Sequence, residues 1–443
     1  MELNNKKVIN AWCMYDWANS VYSLVITSTI FPIYYNSVTH DAFNSDIIDF
    51  FGFQVPNSVL YSYSLSFSFL FIAAILPLLS GIADYGGMKK TFMKMFTYIG
   101  SAACLSMFFF DGDNVEFGIL CSVVASIGYS GALVFYNSFL PEIASFDKYD
   151  QVSAKGYAFG YVGSILLLIF NLLMIQKPEL FGITDSLMPA KISFVTVGIW
   201  WLGFSQITFS RLPGNVFGRK SGDRILVKGY NEVRKVWNSL TEEPVLKKFL
   251  LAFFFYNTGV QTVMYLAATF GDKELKLSGD KLIITVLIIQ LVAVAGSYLF
   301  AFLSKKRGNK ASLLVMIFIW IFICLSAYYV NSEFQFYALA FVVGMVMGGI
   351  QALSRATYSK LIPEKTIDHA SYFSFYDVTY NISIVVGTFS YGLIEHLTGS
   401  MRNSAVSLTL FFIVGMMFLL LIKIPIRKST QSNKTKLPEL VDI

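Results

Sequence analysis

Tyr136-Asn137-Ser138-Phe139-Leu140-Pro141-Glu142 is echoed 222 residues later, half the length of the 443-residue chain, by Tyr358-Ser359-Lys360-Leu361-Ile362-Pro363-Glu364. Three of the seven positions are identical, and each copy closes the fourth of six long apolar stretches. Equivalent placement in two successive sets of six implies a chain built from two copies of one unit. The composition says what medium those units occupy. It is 55% hydrophobic and only 14% charged, against about a quarter charged in soluble domains. Each stretch approaches the ~20 residues that a helix needs to cross ~30 Å of hydrocarbon. The stretches are continuously apolar rather than alternating, which selects helices over a barrel, because a helix satisfies its own backbone hydrogen bonds in lipid. The predicted fold class is an all-α membrane protein of twelve transmembrane helices in two six-helix pseudo-symmetric halves.

The joining segments alternate between rich and poor in positive charge. Numbered from the N-terminus, the odd segments hold 28 of the 34 lysines and arginines and the even ones hold 6. By the positive-inside rule, both termini and the long middle segment face the cytoplasm. That segment, 211–248, carries nine basic residues, among them Arg219, Lys220, Arg224, Arg234 and Lys235. It reads either as a connector with an amphipathic helix from Ile225 to Leu240 lying on the membrane or as a disordered charged loop. The expected organisation is an N-terminal half over 1–212, a cytoplasmic connector over 213–246, a C-terminal half over 247–425 and a basic cytoplasmic tail over 426–443. Placement in a bacterial cytoplasmic membrane, as a monomer, is expected.

Several function classes drop out. The net charge of +6 is a product of topology: no basic patch interleaved with aromatics appears, so no nucleic-acid partner is expected. Cys13, Cys104, Cys121 and Cys324 lie inside apolar stretches and His40, His369 and His396 at segment ends far apart, so neither a disulfide framework nor a metal site is expected. The N-terminal apolar run is too long, and too polar at Asp16 and Asn19, for a cleaved signal. Zinc-protease, nucleophile-elbow and phosphate-loop patterns do not occur, so no enzyme and no cofactor is expected. A membrane sensor with this fold is the competing class, but the middle segment is short for an output domain.

Repeated six-helix halves about an axis along the membrane normal are the architecture of major facilitator transporters, whose substrate site lies between the halves. Ser80-Gly81-Ile82-Ala83-Asp84-Tyr85-Gly86-Gly87-Met88-Lys89-Lys90 resembles their cytoplasmic loop signature, while the second half has Ala301-Phe302-Leu303-Ser304-Lys305-Lys306-Arg307-Gly308-Asn309-Lys310. Lysine stands where aspartate would be, so any second latch is expected to be degenerate. Tyr15-Asp16-Trp17-Ala18-Asn19-Ser20, Asp84-Tyr85-Gly86-Gly87 and Tyr136-Asn137-Ser138-Phe139-Leu140-Pro141-Glu142-Ile143-Ala144 resemble the vacuole-effluxer branch. So do Ser153-Ala154-Lys155-Gly156-Tyr157-Ala158-Phe159-Gly160-Tyr161, Tyr256-Asn257-Thr258-Gly259-Val260-Gln261-Thr262 and Gly348-Gly349-Ile350-Gln351-Ala352-Leu353-Ser354-Arg355. That branch contains the fungal autophagy-related amino-acid effluxers. The resemblance implies export of amino acids or short peptides by alternating access. One departure is Thr258, where the branch carries an aspartate.

A carboxylate inside a membrane is costly unless paired, hydrated or protonated, so Asp16 and Asp377 are candidates for substrate contact or proton coupling. Uniport is the rival mechanism, and hydrogen bonding that simply holds helices together is the bland alternative for both residues. Asn19, Ser20 and Ser23 extend a polar stripe from Asp16. Asn137, Asn257, Gln261, Gln351 and Arg355 complete the expected cavity set on spans four, seven and ten. Arg355 suits bidentate capture of a substrate carboxylate, or pairing with Glu142 or Glu364 in a gate. Asp84, Lys89, Lys90, Glu142 and Glu364 form the expected cytoplasmic gate, with Asp84 stabilising the outward-open state. Gly156, Gly160 and Gly163 mark close helix contact. Most of the 42 Phe and 25 Tyr are assigned to lipid contact or interfacial belts, with Tyr22, Tyr157 and Tyr161 as alternatives facing the cavity.

Overall fold

The computed structural model describes residues 2–215, 218, 225–364 and 366–423; Arg219, Lys220, Arg224 and the basic tail at 426–443 lie outside them. Before the connector, α1 (Lys6–Val21), a π-helical stretch (Tyr22–Ile30) and α2 (Phe31–Phe43) form one continuous rod. It is followed by α3 (Asn57–Gly86), α4 (Lys89–Ser106), α5 (Val115–Ser138), the single turn α6 (Leu140–Ile143), α7 (Tyr149–Gln176) and α8 (Met188–Arg211). The connector contains α9 (Ile225–Glu242). After it come α10 (Pro244–Leu275), α11 (Gly279–Arg307), α12 (Asn309–Ala327), α13 (Glu333–Leu361), α14 (His369–Thr398) and α15 (Met401–Leu420).

Ten of the described helices are long and apolar enough to cross a membrane. The expected first and eleventh spans, outside those ten, are the π-interrupted rod and α14, which begins with the polar, aromatic run His369-Ala370-Ser371-Tyr372. Both are helical throughout, so among the described residues six long rods precede α9 and six follow. They run beyond the apolar stretches at nearly every end, because the last turns carry polar residues that hydropathy excludes.

Two features were not expected. The nine-residue π stretch has its hydrogen-bond register supported by side chains: Ser28 Oγ donates to the Ser23 carbonyl at 2.9 Å and Thr29 Oγ1 to the Leu24 carbonyl at 2.6 Å, each five residues back. Such stretches are rare and cluster at functional sites. The other is a hairpin, β1 (Ile47–Phe50) against β2 (Phe53–Pro56). Its two-residue turn holds Phe51 at φ 52° and Gly52 at φ 85°, the left-handed pair that matches strand twist.

The helices gather into two bundles. In the first, α1 packs on α7 and α8, and α5 on α3 and α4; in the second, α10 packs on α14 and α15, and α11 on α13. The bundles meet where α7 lies against α11 and α13, and where α14 lies against α3 and α5. At one end of this interface sits α9, and that end is called the connector end below. It is helical, which excludes the disordered-loop reading for 225–242, and it packs on α3. Val236 and Gly229 are buried while Leu226, Val227, Tyr230 and Trp237 are exposed. Lys228 Nζ donates to Tyr85 Oη at 2.6 Å, and Lys235 Nζ lies 2.9 Å from Asp368, so the helix touches both bundles.

Candidate functional site

Span one brings Asp16 into the interior and span ten brings Arg355 from the other bundle; both are almost fully buried. Arg355 Nη2 is 3.3 Å from Asp16 Oδ2, Nη1 is 3.3 Å from Asn137 Oδ1, and Nε is 2.9 Å from Ser153 Oγ. Tyr136 Oη donates to the same Asp16 oxygen at 2.6 Å. Asn137 Nδ2 donates to Asp377 Oδ1 at 3.4 Å, which carries the network back to α14. Four expected residues, Asp16, Asn137, Arg355 and Asp377, thus share one network. Arg355 pairs with Asp16 and not with Glu142 or Glu364: six residues from the end of α13, it sits deeper than the gate.

The other expected cavity residues lie apart. Asn257 Nδ2 donates to Ser383 Oγ at 2.6 Å and Gln261 Nε2 to Asn257 Oδ1 at 3.3 Å, a polar patch between α10 and α14. Gln351 accepts from Tyr161 Oη at 2.5 Å, a second tie between bundles. Asn19 is buried with neither side-chain polar atom hydrogen-bonded among the described residues. Thr258 donates to the Phe254 carbonyl at 2.7 Å, so the hydroxyl is spent on its own helix. The glycines behave as expected: a Cβ on Gly163 would meet the Trp17 carbonyl at 2.8 Å. Tyr157 and Tyr161 are in the interior network, while Tyr22 Oη pairs with Ser126 Oγ at 2.9 Å inside the first bundle.

At the connector end Asp84 accepts the backbone N–H groups of Ala370 at 3.3 Å and Ser371 at 2.7 Å. A carboxylate of the first bundle therefore caps α14 of the second, where free N–H groups and the helix dipole favour negative charge. Lys89 pairs with Glu142, and Glu142 also lies 3.0 Å from His369 Nδ1 across the interface. Lys90 donates to the Leu212 carbonyl at 2.8 Å within its own bundle, and Glu364 lies exposed in the loop after α13.

The α11–α12 loop has no aspartate of its own. The carboxylate is present but comes from the opposite side: Asp150, in the first turn of α7, accepts from Ser304 Oγ and Asn309 Nδ2 at 2.8 Å each and from Lys360 Nζ at 2.7 Å. Serine and asparagine of the α11–α12 loop signature are its ligands. Asp150, Ser153, Lys360, Asn309 and His369 were missed because each reads as an ordinary polar residue at a segment end; their meaning lies in partners 150 or more residues away.

These ties are unevenly distributed. Asp84, Glu142 and Asp150 all bind across the interface at the connector end. At the opposite end the described ion pairs, Lys191 with Asp111, Arg402 with Glu274, Lys273 with Glu395 and Lys281 with Glu333, each stay within one bundle.

The model of the family described as "Vacuole effluxer Atg22 like" matches residues 4–433. An MFS-type transporter of Bacillus subtilis, YxiO, is 30% identical over 413 residues, 93% of each chain. Autophagy-related protein 22 of Kluyveromyces lactis is 24% identical over 465 residues, 93% of this chain and 92% of that one. Among solved structures, the major facilitator transporter FucP in an outward conformation superposes with TM-score 0.68 at 13% identity, covering 94% of this chain and 98% of that one. The proton:xylose symporter XylE gives 0.69 at 13% identity, covering 94% of each. This chain, a multi-pass membrane protein with the major facilitator fold, belongs to the vacuole effluxer Atg22-like family.

Proposed function

We propose that the protein is a secondary transporter, not an enzyme, that exports a small polar solute by alternating access, with amino acids or short peptides as the solute class. The observation that carries the reading is the one-sided bonding between bundles: carboxylates clasp the two halves at the connector end while the opposite end has no described ion pair between them. Such an interface can part at one end while the other holds, which is what rocking about a central site requires. The family's description as vacuole effluxers and the Bacillus relative's as an MFS-type transporter support it, and FucP shares the fold.

In this reading the halves at 1–212 and 247–425 rock about the Asp16, Asn137, Arg355 and Asp377 network, and the connector at 213–246 lies at the cytoplasmic face with both termini, as the basic residues indicate. The membrane is a bacterial cytoplasmic membrane and the working unit a monomer. Asp84, Lys89, Glu142 and Asp150 latch the cytoplasmic side in the outward-facing state. Asp16 is the coupling group: a proton on its carboxylate removes the charge that holds Arg355, which lets the halves separate there. Asp377 supplies the second carboxylate to the solute path.

Purified protein in proteoliposomes, loaded with labelled amino acids or dipeptides and placed in a proton gradient, tests this. Solute-dependent flux that is lost in Arg355→Ala is expected; absence of flux for every member of the panel would count against the reading.

A further inference from the structure

Arg355 comes from the second bundle, but nearly everything it touches belongs to the first. Asp16 Oδ2 at 3.3 Å, Asn137 Oδ1 at 3.3 Å, Ser153 Oγ at 2.9 Å and the Ser153 carbonyl at 3.0 Å take four of its N–H donors. The rings of Trp12, Tyr136 and Tyr157 surround the guanidinium with centroids 4.8, 5.4 and 4.2 Å from Cζ. These walls are braced inside the first bundle. Trp12 Nε1 donates to the Tyr136 carbonyl at 3.0 Å, the two rings stack at 4.5 Å, and Tyr136 Oη holds Asp16. Gly156 makes the room: a Cβ there would come within 2.5 Å of Asp16 Oδ2 and 3.0 Å of Arg355 Nη2.

One carboxylate, three further oxygen acceptors and three aromatic faces together are the inventory of a receptor for an organic cation. Asn137 and Ser153 also bond Asp377 and Ala352 of the second bundle, but Trp12, Tyr136 and Asp16 are braced within the first bundle alone, so the carboxylate and its aromatic wall persist when the second bundle withdraws Arg355. We propose that this pocket of Trp12, Asp16, Tyr136, Asn137, Ser153 and Tyr157 binds an ammonium or guanidinium group of the transported solute, and that Arg355 is its built-in competitor. The proposal rests on the alternating-access reading above. When the connector end opens, Arg355 leaves, Asp16 releases its proton to that side and the solute's cation takes its place; when that end closes, Arg355 returns and displaces the guest toward the opposite side. A small inorganic cation would leave the aromatic faces unused, which is why the guest is organic.

The test uses Arg355→Ala, which vacates the pocket in the full-length protein. Unfolding temperature in detergent is followed with methylguanidinium chloride against sodium chloride at equal concentration. A saturable rise of about 2 °C at ten times Kd is expected for Arg355→Ala, none in wild type, where Arg355 holds the pocket, and none in Arg355→Ala with Asp16→Asn. A rise equal in the single and double variants, one reproduced by sodium chloride, or no saturable rise would overturn the proposal. Arg355→Ser is read the same way should the alanine variant not fold. Failure here with solute flux intact removes the cation pocket alone; a methylguanidinium response without any flux removes the transport reading and leaves the pocket.

Discussion

Asp16 and Arg355, 339 residues apart in sequence, form a buried ion pair that joins the two bundles. Neither charge has water to fall back on. Removing one partner of such a pair costs about 3–5 kcal/mol because it strands the other charge, whereas removing both is far less damaging. Asp16→Asn and Arg355→Met are each expected to lower unfolding free energy in detergent by about that amount, and the double variant to recover most of it. Additive losses in the double variant would show that the two residues act separately.

Asp84 offers a second test, independent of the core. Its carboxylate caps α14, and losing that charge at a helix N-terminus is worth about 1 kcal/mol, or roughly a five-fold change in a two-state balance. Asp84→Asn should therefore raise maleimide labelling of a cysteine placed at buried Ser374, one turn into α14, by about five-fold. The four native cysteines are buried and unpaired, which keeps the background low. Unchanged labelling would remove Asp84 from the latch.

Charge order at the Asp150–Lys360 pair can be exchanged. Asp150→Lys sets two ammonium groups beside each other near Asn309 and is expected to abolish transport, as like charges at that separation repel. Combining it with Lys360→Asp restores an attractive pair across the same interface and should return a measurable part of the flux. A double variant no better than the single would mean that Asp150 is needed for something other than its attraction to Lys360.

Helix α9 lies close enough to α3 that side chains are excluded at the crossing: a Cβ on Gly229 would meet Ile82 Cγ1 at 2.6 Å and the Ile82 nitrogen at 2.9 Å. Gly229→Val should lift α9 and loosen its contacts to Tyr85, Asp368 and Tyr372. Faster cleavage in the connector during limited proteolysis is the expected outcome, with the bundles themselves protected; a cleavage pattern like that of wild type would show that α9 is held by other contacts.

Much of the architecture was legible before any coordinates. Long apolar runs, lysines and arginines at alternate segments, and the echo of Tyr136–Glu142 at Tyr358–Glu364 are local properties that lipid and topology impose on sequence, so they predict the two sets of six helices. Buried carboxylates are costly enough that Asp16 and Asp377 stood out alone. The π stretch was not legible, since Ser28 and Thr29 bonding five residues back look like any hydroxyls in an apolar run, and neither was the hairpin between Ile47 and Pro56.

What the sequence by itself determined is the medium and the all-helical class, because transfer of each residue between water and hydrocarbon is a property of that residue and its near neighbours. What only the tertiary structure decided is who holds whom: that Arg355 belongs to Asp16 and not to Glu142, and that Asp150 binds Ser304, Asn309 and Lys360 across the interface at a loop without an aspartate of its own. Pairing energies depend on distances of a few ångströms between side chains hundreds of residues apart, and those distances exist only once the helices have packed.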